Sequence, residues 1–369
     1  MVPNIIGVDA RELEGKPTGV GVYLKGILEH LQLPEHIKLQ LFFKNAIPKD
    51  LQKINAECIL LRSGSTNIAW QQWTLGRELT RRKIDLMFSP ANTLPWRFNG
   101  IQTLTIHDLS YFRYPFWFTA RERLAKQMNT SISVRSADRI YADCEYMKAE
   151  IMHQFDVPEE RIKVASLGVT QREIDASKRN YLRQTRRLAG SRVIMYSGSI
   201  FNRRHLPVLI RALKHLDPSY VLIIIGENRT FPYINLANEA ELAGVQKQVQ
   251  LLEYVSDSLL EDYYWMADLF VYLSEYEGFG IPPLEAMSFG VPVLLSNTPA
   301  MNTIYKDSAH FINTLNPPAV AGAIQSILSN EEERKRLSEA GRAKAASMTW
   351  HETARIIASD WEQLLESGS

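Results

Sequence analysis

The sequence Leu269-Phe-Val-Tyr-Leu-Ser-Glu-Tyr-Glu277-Gly-Phe-Gly280-Ile-Pro-Pro-Leu-Glu285 decides the fold class. It begins with an apolar run typical of a buried parallel strand, continues through a loop with two glycines, and reaches paired prolines that suit the first turn of a helix. Strand, glycine loop and helix in this order indicate an anion site. Glycines let the backbone approach a ligand closely, and N–H groups at a helix start can donate to its oxygens.

The two glutamates of this stretch allow two interpretations. Carboxylates accept hydrogen bonds from hydroxyls, so Glu277 and Glu285 beside a phosphate-binding loop indicate a ligand with both phosphate and sugar hydroxyl groups. Alternatively, Glu285 complements the helix dipole and Glu277 is simply solvated. Local chemistry leaves both interpretations open.

Short β-prone runs alternate with helical patterns on both sides of this stretch. The first series is predicted as parallel strands at 5–8, 39–43, 58–61, 86–88, 102–106 and 139–141, and the second at 193–196, 220–225, 249–252, 269–272 and 291–295. Residues 170–191 between them are polar, as at a domain boundary. We therefore predict an α/β protein with one domain over 1–170, a second over 171–349, and a helix with an apolar stripe over 350–369.

Composition and charge exclude several classes of protein. The chain has 369 residues with a net charge of +1, which gives no global attraction to nucleic acid or to an acidic surface. No stretch approaches about 18 uninterrupted apolar residues, and the N-terminus has no pattern of an export signal. Cys58 and Cys144 are the only two cysteines, which favours a reducing compartment. We expect a cytoplasmic protein.

The deciding stretch and its flanks resemble the signature of the family 4 glycosyltransferases, which are retaining enzymes of the GT-B fold. The shared features are two glutamates separated by seven residues, Gly-Phe-Gly after the first and Pro-Pro-Leu before the second, with Ala267-Asp268 upstream and Gly290-Val-Pro-Val downstream. The resemblance implies two Rossmann-like domains facing across a cleft, with the donor mainly on the second domain and the acceptor mainly on the first. It also implies that the C-terminal helix crosses back to the first domain.

The same resemblance assigns roles to residues of the deciding stretch. It implies that Glu277 and the neighbouring backbone hold the transferred sugar, and that Glu285 contacts the ribose of the nucleotide. The backbone positions assigned in this way to donor binding are Gly278, Phe279, Gly280 and Ile281.

Two adjacent arginines follow the first strand of the second domain. Arg203 and Arg204 would repel each other unless an anion bridged them, and a diphosphate is a natural bridge. The family has a lysine where this chain has Arg204, whose bulkier planar group leaves the contact geometry open. We assign both arginines to catalysis, with Gly198 and Ser199 in donor binding; a solvated surface pair is the alternative.

Two other segments resemble donor-binding segments of the family. Residues 253–257 follow a strand and match the segment that receives the nucleotide base, which assigns Tyr254 and Val255 to donor binding without selecting guanine, uracil or thymine. In the first domain, Gly19 matches the family's phosphate-facing glycine. A plain helix N-terminus is the alternative there.

His107 ends a predicted strand of the first domain, where open α/β sheets place ligand residues. A lone histidine is more often structural, but the resemblance aligns His107 with a histidine that contacts the donor sugar. We therefore assign it to catalysis through a donor hydroxyl contact rather than as a general base. Asp108 either orients the imidazole or helps to hold the acceptor, and Tyr111 is assigned to the acceptor with it. Cys144 replaces the family's usual serine and is expected to have no catalytic role.

Aromatic rings and cations are mixed in two segments of the first domain, 96–98 and 111–126. Such mixtures suit a membrane interface or a lipid-linked acceptor, and equally an ordinary aromatic core. Peripheral contact with the inner face of the plasma membrane is therefore one of two expectations.

Residues 89–95 and 106–110 most resemble bacterial mannosyl or rhamnosyl transferases of surface polysaccharide synthesis. The resemblance thus implies transfer of a hexose, first mannose from GDP-mannose, to a saccharide or lipid-linked saccharide acceptor. UDP-sugars and dTDP-rhamnose are alternative donors, and a nucleotide-sugar epimerase or a noncatalytic nucleotide-sugar-binding protein are alternative functions. No Asp-x-Asp motif ends a predicted strand, so we expect no metal, no cofactor beyond the nucleotide-sugar co-substrate, and no nucleic-acid partner.

Overall fold

The computed structural model describes residues 3–16, 18–173 and 175–367. The chain forms two compact units. Unit 1 comprises the described residues of Met1–Gly168 and Thr349–Ser369, and unit 2 those of Val169–Met348. The predicted boundaries at 170/171 and 349/350 lie within two residues of these divisions.

Unit 1 is built on a parallel sheet of seven strands in the order β3-β2-β1-β4-β5-β6-β7. Its strands are β1 Asn4–Asp9, β2 Ile37–Phe43, β3 Glu57–Leu60, β4 Leu86–Ser89, β5 Ile101–Ile106, β6 Arg139–Ala142 and β7 Ile162–Val164. Its first helices are α1 Gly19–His30, α2 Asn67–Ala69, α3 Gly76–Arg81, α4 Ser110–Arg113, α5 Ala120–Ser136 and α6 Glu145–Phe155. A π-helical stretch, Trp70–Leu75, joins α2 to α3, and 3-10 turns lie at Arg11–Leu13, Pro115–Trp117 and Glu159–Arg161.

Unit 2 is built on a parallel sheet of six strands in the order β10-β9-β8-β11-β12-β13. Its strands are β8 Arg192–Ser197, β9 Tyr220–Ile225, β10 Val249–Leu252, β11 Leu269–Tyr272, β12 Val293–Ser296 and β13 His310–Ile312. Its helices are α7 Ala176–Thr185, α8 Leu206–Ala212, α9 Leu236–Leu242, α10 Asp257–Met266, α11 Ile281–Ser288, α12 Pro299–Tyr305, α13 Pro317–Ser329 and α14 Glu331–Ser347. The 3-10 turns are Asn202–Arg204, Leu213–His215, Gln246–Gln248 and Lys306–Ser308.

The apolar strand residues that predict parallel sheets form the cores of the two units. In unit 1, Val8 lies opposite Leu41 on one side and Phe88 on the other, and all three are fully buried. In unit 2, β11 is buried along its whole length between β8 and β12. Strands covered on both faces by helices read as continuous apolar runs, which is why these strands can be recognised in the sequence.

The C-terminal helix, α15 Trp350–Ser367, completes unit 1. The fully buried Trp361 packs against Phe88 with ring centroids 5.2 Å apart. Asp360, also fully buried, accepts a hydrogen bond from Tyr141 Oη at 2.8 Å and from Arg139 Nε at 3.0 Å. The predicted fold class, with two Rossmann-like parallel sheets and a C-terminal helix on the first, is confirmed.

Candidate active site

A cluster of three charged side chains lies at the C-terminal ends of two neighbouring strands of unit 2. Its members are Arg203, Arg204 and Glu277. The arginines lie in the turn after β8, Glu277 lies in the loop after β11, and these two strands are parallel neighbours. Arg204 Nε is 3.0 Å from Glu277 Oε1, and Arg203 Nε is 3.7 Å from the same oxygen. Arg204 and Glu277 are only 8% and 7% exposed. They are therefore not the solvated residues of the alternative interpretation.

Every nitrogen of the Arg204 guanidinium has a partner within unit 2. Nε and Nη2 donate to the two carboxylate oxygens of Glu277 at 3.0 and 3.3 Å, and Nη1 donates to Ser199 O at 2.7 Å and Tyr196 Oη at 3.2 Å. The guanidinium carbon also lies 4.8 Å from the centre of the Tyr272 ring. Burial disfavours the cation, but the Glu277 carboxylate outweighs it and holds the pKa of Arg204 well above its usual value.

The carboxylate of Glu277 is surrounded by two hydroxyl donors and two arginines. Ser274 Oγ donates to Oε1 at 2.8 Å and Tyr272 Oη at 3.3 Å. Burial disfavours ionisation of Glu277, but the charges of Arg204 and Arg203 outweigh it and lower the pKa of this carboxyl group. Within the described part of the chain, Oε2 accepts a bond of 3.3 Å from Arg204, which leaves a lone pair that a ligand hydroxyl can use.

The loop after Glu277 turns into α11 through a left-handed glycine. Gly280 has φ of +80° and precedes the helix, and Tyr305 Oη donates to its carbonyl at 2.7 Å. A Cβ at Gly280 would lie 2.6 Å from Met301 Cε, so the position requires glycine for both conformation and space. Pro282 and Pro283 carry no N–H, so the predicted set of free helix amides is smaller than expected: within residues 281–283 only Ile281 can donate.

Glu285 lies on α11 in a chain of three polar side chains. Tyr264 Oη donates to Glu285 Oε2 at 2.8 Å and is 2.7 Å from Ser197 Oγ at the end of β8. Burial raises the pKa of the Glu285 carboxyl group. Tyr264 was not predicted as a site residue, and its burial within an apolar helix pattern gave no signal of this contact.

The remaining donor-binding residues of unit 2 lie in two loops. Gly198 has φ of +116°, and its amide donates to Ile225 O at 2.9 Å, which pins the loop after β8 to the end of β9. Tyr254 is exposed and Val255 half-buried in the loop after β10, which is separated from β8 by β9. The structure therefore places Gly198 and Ser199 beside Arg204, and Tyr254 and Val255 two strands away.

In unit 1, His107 bridges the ends of three neighbouring strands. Its Nδ1 is 2.8 Å from Asp143 Oδ2 after β6, and its Nε2 is 2.8 Å from Pro90 O after β4. Burial lowers the pKa of His107, but Asp143 outweighs it and the net shift is upward. Asp143 was missed in the sequence, although it follows a strand adjacent to β5, where ligand residues of open sheets lie.

The other predicted residues of unit 1 have different surroundings. Asp108 accepts from Ser110 N at 3.1 Å and Ser110 Oγ at 2.9 Å. The carboxylate that bonds the imidazole is thus that of Asp143, which corrects the suggestion that Asp108 orients it. Tyr111 is buried, and its hydroxyl is 2.8 Å from Thr130 Oγ1. Gly19 is exposed at the start of α1, with open space beside it.

The aromatic and cationic segments of unit 1 divide between core and surface. Phe98 is buried like Tyr111, whereas Trp96 is exposed and Phe116 is 74% exposed. Two apolar residues one turn apart on α5, Leu124 and Met128, are exposed as well. Part of these segments therefore belongs to the core, and the expectation of membrane contact for the exposed residues stays a prediction.

No group of three or more His, Cys, Asp or Glu side chains in residues 3–16, 18–173 and 175–367 is arranged to hold a metal ion. Across the same part of the chain, none of the helices combines the length and apolar character needed to cross a bilayer.

The chain is similar in sequence to glycosyl transferases. Residues 177–344 match the family Glycosyl transferases group 1. The O-antigen chain mannosyltransferase B of Escherichia coli is 29% identical over 267 residues, which cover 71% of this chain and 70% of that protein. The O-antigen chain mannosyltransferase RfbU of Salmonella typhimurium is 27% identical over 244 residues, which cover 66% of this chain and 64% of that protein.

A solved structure shares the fold over nearly the whole length. The Anabaena protein Alr3699/HepE, in complex with UDP and glucose, superposes with a TM-score of 0.78 at 18% identity, covering 98% of this chain and 100% of that one. The residues that match the family model, 177–344, lie within unit 2, where Arg204 and Glu277 are in contact.

Proposed function

We propose that this chain, whose residues 177–344 match the group 1 glycosyl transferases, transfers a hexose from a nucleotide diphosphate sugar to a saccharide or lipid-linked saccharide acceptor. Mannose from GDP-mannose is the first candidate donor, in the synthesis of O-antigen or another surface polysaccharide. Two relatives named as O-antigen chain mannosyltransferases support this choice. A UDP-sugar is the second candidate, since a protein of the same fold binds UDP and glucose.

The observation that carries the proposal is the buried contact of Arg203 and Arg204 with Glu277. It puts two cations and a hydrogen-bond-accepting carboxylate at the ends of two adjacent strands, beside the left-handed turn at Gly280. Cations and backbone amides suit a diphosphate, and a carboxylate suits sugar hydroxyls. A diphosphate-linked sugar carries both groups.

The reaction that suits these groups is dissociation of the nucleotide followed by attack of the acceptor on the same face of the sugar. Arg203, Arg204 and the loop amides would stabilise the charge that develops on the leaving diphosphate, which is the largest expected contribution to catalysis. The leaving phosphate would accept the proton of the acceptor hydroxyl, with retention of configuration. In this proposal no metal takes part, because cationic side chains perform the role of a diphosphate-bound metal.

We also propose that unit 1 makes peripheral contact with the cytoplasmic face of the membrane. Phe116, Leu124 and Met128 expose apolar surface beside the cations Arg121 and Lys126. Apolar residues bordered by cations favour binding to anionic lipid surfaces. This contact would bring the enzyme to a lipid-linked acceptor.

A ligand panel followed by a transfer assay tests the proposal. Thermal unfolding is measured with GDP, UDP, dTDP, GDP-mannose, UDP-glucose and dTDP-rhamnose, because a ligand that binds only the native state raises its stability by mass action. The nucleotide that raises the melting temperature most is then supplied as its radiolabelled sugar donor, with and without a polysaccharide extract. Anomeric configuration of the product is read by NMR.

The variants Glu277→Gln and Arg203→Ala should reduce transfer sharply while the protein stays folded, and Arg211→Ala, at an exposed ion pair, should not. Donor binding without any labelled acceptor would favour a noncatalytic binding protein, and conversion of donor alone would favour an epimerase. Full transfer by both site variants would refute the assignment of the site.

A further inference from the structure

His107 and Asp143 form a buried pair that the proposed reaction does not yet use. Both nitrogens of the His107 ring face oxygen atoms: the carboxylate of Asp143 at 2.8 Å and the carbonyl of Pro90 at 2.8 Å. A carbonyl oxygen can only accept, so Nε2 must carry a proton to bond Pro90. The bond at Nδ1 also contains a proton, whether it resides on the ring or on the carboxyl group.

The surroundings of Asp143 show that its carboxyl group serves the histidine and little else. Asp143 is 1% exposed, and its second oxygen, Oδ1, is buried without a hydrogen-bond partner among the described residues. An unpaired buried carboxylate oxygen is costly, and such groups in native proteins call for a functional explanation. Among the side chains that the structure describes, the carboxyl group has its hydrogen bond with His107 Nδ1.

We propose that Asp143 is a positioning residue that keeps a proton on Nε2 of His107, so that His107 meets the substrate as a hydrogen-bond donor and does not act as a general base. The inference rests on the proposed function and specifies the role of one of its residues. The His107 side chain is 18% exposed, so a substrate oxygen can reach the ring by sharing or replacing the Pro90 carbonyl. A ring nitrogen that carries a proton has no lone pair with which to take one from an acceptor hydroxyl.

The electrostatic environment agrees with this geometry. The groups that face the ring are Asp143 after β6, Asp108 after β5, the Pro90 carbonyl after β4, and the edge of the Tyr23 ring from α1, at 4.7 Å between centroids. The pKa of His107 is raised, and burial raises that of Asp143. Both shifts keep protons on the pair to higher pH, and the two groups titrate together.

The experiment is an NMR titration of the histidine ring nitrogens in the full-length protein, with no substrate present. The chain has eight histidines, and the His107 signals are identified by their loss in His107→Gln. We expect Nε2 of His107 to have the shift of a protonated nitrogen at pH 7, and its titration to occur above that of exposed histidines. In Asp143→Asn, which keeps the shape but not the charge, the titration should fall by about one to three pH units.

The pH dependence of transfer gives the second measurement. The alkaline limb of kcat should move to lower pH in Asp143→Asn by the same amount as the NMR titration, which a purely structural role would not produce. An unprotonated Nε2 in the wild type at pH 7, or an unchanged His107 titration in Asp143→Asn, would overturn the inference. Because the NMR result needs no substrate, it separates failure of this inference from failure of the proposed function. If Asp143→Asn unfolds, Asp143→Glu keeps the charge, and the His107 titration should then stay above that of exposed histidines; a fall to their value would overturn the inference.

Discussion

Replacing Arg204 with methionine removes the cation from a buried ion pair and leaves Glu277 in place. Methionine retains much of the apolar stem, so the main loss is the charge and its hydrogen bonds. Removing one partner of a buried pair costs about 3–5 kcal/mol, because the other charge stays buried without compensation. Glu277 would keep the hydrogen bonds from Ser274 and Tyr272 and the charge of Arg203 at 3.7 Å, so we expect the lower end of this range.

The expected change can be measured as a shift in the unfolding temperature of unit 2. For a unit of this size, 1 kcal/mol corresponds to about 2–4 °C, so a loss of about 3 kcal/mol lowers the transition by roughly 6–12 °C. Differential scanning calorimetry records it. Arg211→Met is the matched control, because Arg211 pairs with Glu239 at the surface, where removal of an ion pair costs about 0–1 kcal/mol.

The pH dependence of this deficit distinguishes a charge effect from a packing effect. The pKa of Glu277 is lowered in the folded protein, so this group contributes stability above its unfolded pKa that is lost as the pH falls through its folded pKa. Without Arg204 the folded pKa rises, so Glu277 accepts a proton on mild acidification. The deficit of Arg204→Met should therefore be larger at pH 7 than at about pH 5. An equal loss of stability at both pH values would refute the electrostatic explanation. So would a double variant, Arg204→Met with Glu277→Gln, that is no more stable than Arg204→Met alone.

Three other changes have expected outcomes. Gly280→Ala should lower the unfolding temperature measured by calorimetry and weaken nucleotide binding. A left-handed φ costs about 1–2 kcal/mol for a residue with a Cβ, and the added Cβ also forces Met301 to move. Unchanged nucleotide affinity would count against the role of this turn. Asp360→Leu should expose α15 to limited proteolysis, because it leaves the half-buried Arg139 without its carboxylate partner. Resistance of α15 to digestion would argue otherwise. A thiol reagent at pH 8 should modify Cys58 before Cys144, because burial raises the pKa of Cys144 to about 12, and faster labelling at Cys144 would contradict this ordering.

The central strands of both sheets could be predicted, because burial on both faces leaves a continuous apolar run in the sequence. Of the four edge strands that the structure describes, β3 and β10 were predicted as well, at 58–61 and 249–252, but β7 and β13 were not. β7, Ile162–Val164, and β13, His310–Ile312, are three residues long and carry polar residues, and neither was predicted. An edge strand is stabilised by one neighbour, so its sequence need not be apolar along its whole length.

The candidate site was predicted where the chain itself brings residues together, and missed where tertiary packing does so. Glu277 and Gly280 belong to one loop, and adjacent parallel strands bring Arg203 and Arg204 to it. Asp143 bonds His107 within unit 1, and Tyr264 bonds Glu285 within unit 2. Each hydrogen bond joins distant segments of the chain, and no local pattern indicates such bonds. The alternative that Asp108 orients the imidazole was wrong for the same reason, because His107 bonds a carboxylate that follows another strand. The assignment of Asp108 to the acceptor stays a prediction.

The contacts of Arg204 explain why an arginine suits position 204, where the family has lysine. A planar guanidinium can bond both oxygens of Glu277, donate to Ser199 O, and lie over the Tyr272 ring at once, whereas a lysine offers a single point charge. The consequence is electrostatic: the two arginines and the carboxylate leave a net of one positive charge at the strand edge. A diphosphate bound there would depend on Arg203 and on the loop amides for most of its neutralisation. Arg203→Ala should accordingly weaken nucleotide binding more than Arg204→Lys, which keeps the charge beside Glu277.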